Sequence, residues 1–221
     1  MNIPAQTLPV ELLTAAVAAW LLVLAQAIRR APWGRMRRSR EQHTFLGATL
    51  ALTAFWTLGG RMAPEIGLHF LGLTVYTLMF GWSLSVIGAS IAALGFVLTG
   101  SGGFETVPLN AVVLGVVPIS VSFSVYALVH CYLPRHIFVY IYGCAFFGAI
   151  ISSAAAICLL VVVLTAAEVY PYGLIASEYL PYVALYLFAE GVLNGILTTM
   201  LIGVRPHWLF TYDDELYLRG K

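Results

Sequence analysis

Runs of about twenty apolar residues follow one another along this chain with only short polar joins between them, and that spacing leaves few folds open. A run of ~18–20 apolar residues matches the hydrocarbon core of a bilayer. Lipid offers no partner to an unpaired N–H or C=O, so such runs must be helices. The charge content agrees: of 221 residues only 10% are charged and 61% are hydrophobic. Ordinary soluble domains carry roughly 25% charged residues, so a water-facing surface could not be covered with what is here. The expected fold class is all-α, a polytopic membrane helix bundle forming a single integral membrane domain over 1–221.

Charge placement orders the spans. The first is expected over 9–28, followed by Arg29, Arg30, Arg35, Arg37, Arg38 and Arg40, over half of the 11 basic residues. The positive-inside rule puts this loop in the cytoplasm and the N-terminus outside. Residues 1–11 hold no Lys or Arg, the wrong polarity for a signal peptide, so the segment is read as a mature span. A second span is expected over 44–60. The stretch from Leu68 to Gly100 is long for one span and short for two, with Gly81-Trp82-Ser83 suited to a tight turn at its middle. Charge bias favours two, over 68–82 and 83–100. Further spans are expected over 109–131, 137–166 and 182–204. That makes about seven helices, with the N-terminus outside and Arg205, Arg219 and Lys221 inside. Tyr170, Tyr172, Tyr179 and Tyr182 suit an interfacial aromatic belt. Gly72, Gly88, Ala92, Gly95, Gly115, Gly143 and Gly148 mark close helix packing.

Several function classes drop out. Cys131, Cys144 and Cys158 show no CxxC spacing and read as buried free thiols. The chain contains no P-loop and no HExxH, so it hydrolyses no ATP by itself. His43, His130, His136 and His207 fall at the expected cytoplasmic face, where solvated histidines are ordinary.

Polar groups inside a membrane are costly and therefore informative. Four candidates stand out: the N-terminal segment Met1-Asn2-Ile3-Pro4, His69, Asn110, and the pair Glu190 with Asn194. His69 can ligate a transition metal as a neutral imidazole, or bond a backbone carbonyl at the interface. Glu190 and Asn194 lie one turn apart on one face of the last span, which should face the bundle interior. There the carboxyl group can neutralise a cation, carry a proton, or bond Asn110 or a hydroxyl. Asn110 follows Pro108 and reads as a helix cap.

Taken in order, Met1-Asn2-Ile3-Pro4, Leu68-His69-Phe70-Leu71-Gly72, Leu109-Asn110 and Glu190-Gly191-Val192-Leu193-Asn194-Gly195 give the chain a specific likeness. It resembles a divergent branch of the cobalt/nickel substrate-binding membrane subunits of energy-coupling-factor ABC transporters. The resemblance implies a bacterial inner (plasma) membrane protein that is not an enzyme. It implies Co(II) or Ni(II) as the bound and transported ligand, no covalent cofactor, and partners in a coupling transmembrane subunit and cytoplasmic ATPases. Members begin Met-His-Ile-Pro, and their free N-terminus folds back so that its amine, the second residue's backbone nitrogen and imidazole, and a later histidine form a flat four-nitrogen site. Carried onto this chain, the metal set is Met1, Asn2 and His69, with Asn110, Glu190 and Asn194 as supporting polar groups. Asn2 departs from the pattern. It still offers a backbone nitrogen, but its side-chain amide is a poor ligand, which leaves three of the four ligands, a changed metal preference, or a site that has lost binding as the alternatives.

Two other readings compete. A non-transporting membrane accessory protein would hold metal at Met1 and His69 and deliver it for metalloenzyme assembly. A membrane enzyme would use Glu190 with His69, but the span positions set Glu190 deep and His69 near the outer face, so the two are expected to stay apart.

Overall fold

The computed structural model describes residues 8–57, 70–99 and 103–218. Among them the chain forms eight helices and no strand. Helix α1 is Val10–Arg30, α2 Ser39–Thr57 and α3 Leu73–Leu98. Helices α4 (Phe104–Tyr132) and α5 (Ile137–Ala166) follow. A short α6 (Tyr172–Glu178) leads into α7 (Leu180–Val204), and a tail ends in α8 (Asp214–Leu218). Five of these, α1, α3, α4, α5 and α7, are long and apolar enough by residue count and composition to cross a membrane, α3 only when its 26 residues are counted across the break at Gly81. Helix α2 opens on Ser-Arg-Glu-Gln-His before its apolar part.

The perimeter of the bundle is apolar, and its largely apolar interior also holds polar groups. Leu22, Leu50, Leu98, Val162 and Leu185 stand on the perimeter, while Thr77, Ser85, Ser122 and Asn194 are wholly buried. Apolar groups face outward where lipid is the solvent, and polar groups turn inward to find partners.

The stretch 73–98 breaks at Gly81, whose φ of 73° and ψ of 176° lie in a region essentially restricted to glycine. The hydroxyl of Ser85 donates to the carbonyl of Tyr76, nine positions earlier, at 3.2 Å. A continuous helix would hold those residues about 13 Å apart. The two arms, 73–80 and 82–98, therefore fold back on each other, with the turn in the expected Gly81-Trp82-Ser83. The first arm is only about 12 Å of helix, well under the ~30 Å hydrocarbon core. Gly88 makes the hairpin possible, because a Cβ there would collide with the Tyr76 hydroxyl and lie 2.7 Å from its Cζ.

Small residues seat the neighbouring helices as well. A Cβ on Gly95 would come within 2.9 Å of Thr53 on α2, and one on Gly191 within 2.9 Å of Ile150 on α5. Helices α4 and α5 each contain a widened π-turn, at Ala111–Val116 and Tyr140–Phe147, and the second packs against α7. The cysteines differ from expectation. All three are free thiols, but only Cys144 is buried; Cys131 and Cys158 lie on the perimeter, where a small, weakly polar side chain is tolerated in contact with lipid.

Candidate functional site

Helix α7 carries the buried polar pair. Glu190 and Asn194 are both almost fully buried, one turn apart and facing inward as their spacing requires. The Glu190 carboxyl group binds backbone. Its Oε1 accepts the N–H of Gly72 at 2.7 Å and its Oε2 that of Leu71 at 3.2 Å. Asn194 Nδ2 donates to Glu190 Oε1 at 3.2 Å and to the Glu190 carbonyl at 2.8 Å, while its Oδ1 accepts the N–H of Val75 at 2.9 Å. The first N–H groups of a helix have no partner within it. Here two side chains of another helix supply partners around the start of the first α3 arm.

The same few residues are held from the other side. Trp56 on α2 donates its indole N–H to the carbonyl of Leu71 at 3.0 Å. The ring of Phe70 stacks between Phe55 of α2 and Tyr186 of α7, at 6.0 Å from each. Gly72, with φ of 62°, turns the chain from this clamp into the arm. Residues 70–72 are thus fixed between α2 and α7.

His69 immediately precedes this clamp. Together with Met1 and Asn2 it lies outside the described residues. The expectation that Glu190 and His69 stay apart therefore falls outside the described residues; within them, Glu190 bonds the backbone of Leu71 and Gly72, two and three positions beyond His69 in sequence. That stretch is non-helical until the arm begins at Leu73, which leaves its N–H groups free to reach Glu190. Among the described residues, no three His, Cys, Asp or Glu side chains gather as a metal site.

A family model described as the cobalt uptake substrate-specific transmembrane region, CbiM, matches residues 2–208. The chain belongs to the CbiM family. It is accordingly a multi-pass membrane transport component and not an enzyme. Two solved structures share the CbiM fold seen here. A crystal structure of a transition metal transporter is 16% identical, with a TM-score of 0.77 over 92% of this chain and 93% of the other. A crystal structure of a truncated transition metal transporter is 15% identical, with a TM-score of 0.76 over 92% and 99%. No curated protein matches the chain.

In this CbiM chain Asn110 is not a helix cap. Helix α4 begins at Phe104, and Asn110 has helical angles just before the π-turn. The turn that carries it, Val107–Asn110, packs against α1. Sequence reading missed the other members of the polar core. Thr74 bonds Ser122 at 2.6 Å and Ser152 at 3.1 Å, tying the arm to α4 and α5. Tyr76 bonds Thr49 of α2 at 2.6 Å. Hydroxyls are common in membrane helices because they can bond their own backbone, as Thr77 does to Leu73. Nothing local to Thr74 or Tyr76 distinguishes them from such residues.

Proposed function

We propose that this chain is the substrate-capture component for uptake of a transition-metal ion, cobalt or nickel. The observation that carries the reading is the clamp on 70–72 in a member of a cobalt-uptake family. Its candidate imidazole, His69, directly precedes in sequence the three residues 70–72, which side chains of two helices hold. A ligand attached to anchored backbone has less freedom to lose when the metal arrives. The proposed ligands are the Met1 amine, the Asn2 backbone nitrogen and the His69 imidazole, with water or another side chain as the fourth. Nitrogen ligands in a plane suit Ni(II). Glu190 and Asn194 act behind them by holding the backbone, and Asn110 lies on the α4 turn against α1.

The arginines between α1 and α2 support an orientation with the N-terminus outside and about seven membrane segments. Without a P-loop, the chain depends on a coupling membrane subunit and cytoplasmic ATPases. The proposed location is the bacterial inner membrane.

The deciding experiment is metal content and affinity of the full-length protein with an untagged N-terminus, beside His69→Ala and Asn2→His. Near-stoichiometric nickel or cobalt that vanishes in His69→Ala is expected. Binding that survives His69→Ala would sink the assignment. Asn2, where relatives carry histidine, favours one second reading, an accessory protein that holds metal for delivery. Metal uptake into vesicles that contain the coupling subunit and ATPases separates the two.

A further inference from the structure

The first arm of α3 is gripped at both ends by other elements. At its start, Glu190 and Asn194 bind the N–H groups of Leu71, Gly72 and Val75. Its far end meets the tail that follows α7. The N–H and the hydroxyl of Thr211 both donate to the carbonyl of Leu78, at 3.2 and 2.9 Å, and the N–H of Phe210 donates to that of Met79 at 3.2 Å. Helix carbonyls left without intrahelical partners are satisfied here by a segment more than 130 positions away. Since the Thr211 proton goes to Leu78, the Tyr140 hydroxyl, 2.7 Å away, donates to Thr211. Tyr140 is wholly buried on α5 and packs against Tyr212 and Tyr217 of the tail, with ring centres 5.1 and 5.2 Å off. Burial pushes the Tyr212 phenol up to about 12.

Between the two grips every residue from 73 to 80 is buried. A helix of two turns, close-packed on all sides, has no soft direction in which to absorb a shift at one end. A close-packed helix of this kind can pass a displacement of its tail end on to the clamp at its start.

We infer that Thr211 and Tyr140 are positioning residues for the segment that carries His69. Through the 73–80 arm, the tail sets how deeply residues 70–72 sit against Glu190 and Trp56. The metal half of this statement rests on the function proposed above; the mechanical coupling does not. The tail and residues 70–72 lie at opposite ends of the arm, so whatever moves the tail reaches the clamp without approaching it.

The test uses the full-length protein in detergent or nanodiscs, with Thr211→Val, Thr211→Ser and Tyr140→Phe. Backbone amide exchange is followed at 71, 72 and 75, together with Ni(II) and Co(II) affinity and the visible spectrum of the bound ion. Thr211→Val and Tyr140→Phe are expected to speed exchange at those amides by roughly fivefold or more. They should also alter the bound-ion spectrum, while α1 stays unchanged and Thr211→Ser restores the wild-type values. Unchanged exchange at 71–75, or an equal rise in all helices, would overturn the coupling. Altered exchange with an unaltered metal spectrum and affinity would overturn the positioning role. A parent protein that binds no metal, with the exchange effect intact, would sink the proposed function and leave the coupling standing.

Discussion

The carboxyl group of Glu190 accepts the backbone N–H of Gly72 at 2.7 Å across 118 positions of chain. A buried acidic side chain in a membrane protein is usually read as a partner for a cation or a proton. In this chain it serves the start of a short helix, and the carboxamide of Asn194 completes the arrangement.

Replacing Glu190 should therefore harm the fold before it touches any chemistry. Glu190→Ala strands two buried N–H groups, at about 1–3 kcal/mol each. Glu190→Gln turns an amide donor toward other donors and should recover only part of the loss. Thermal unfolding in detergent, with metal affinity measured on whatever remains folded, checks the order Glu, Gln, Ala.

Gly88→Ala should destabilise the hairpin by about 1–3 kcal/mol, because its Cβ would run into Tyr76 and drive that hydroxyl from Thr49. Combined with Tyr76→Leu, which removes the colliding atoms, the cost should be less than the sum of the two single changes. Additive stabilities would show that the two residues do not meet.

At Gly81 both backbone and space oppose a side chain. Its φ is +73°, and a Cβ would come to 3.3 Å from Phe210. Gly81→Ala should cost about 1–3 kcal/mol. Gly47→Ala on α2, where a Cβ meets nothing within 4 Å, should be neutral or stabilising by up to ~1 kcal/mol. Parallel melting curves of the two variants test the contrast.

Asn2→His should tighten nickel binding by at least tenfold if the N-terminal segment contributes ligands, since an imidazole is a far better donor than a carboxamide. Titration of the untagged protein against a competing chelator measures it. An unchanged affinity would mean that residue 2 lies away from the metal.

Much of the architecture was legible along the chain. Long apolar runs required membrane helices, Gly81-Trp82-Ser83 marked the turn of the hairpin, and the spacing of Glu190 and Asn194 put both on one inward face. Each conclusion depends on the cost of placing a residue or a turn in lipid, and that cost is local. The exposure of Cys131 and Cys158 was misread for a related reason: apolar neighbours along the chain do not distinguish lipid contact from burial.

What Glu190 binds, what Trp56 holds, and how Thr211 reaches Leu78 were decided only by the tertiary structure. In water, an amphipathic stripe shows which side of a helix is inside. In lipid the outer face is as apolar as much of the interior, so the hydrophobic pattern no longer identifies neighbours. Partners are then chosen by close approach at small residues and by hydrogen bonds between helices, properties of pairs of distant positions. The apolar runs determined that this chain lies in a membrane; the meeting of α2, α3, α7 and the tail determined what its few polar groups do there.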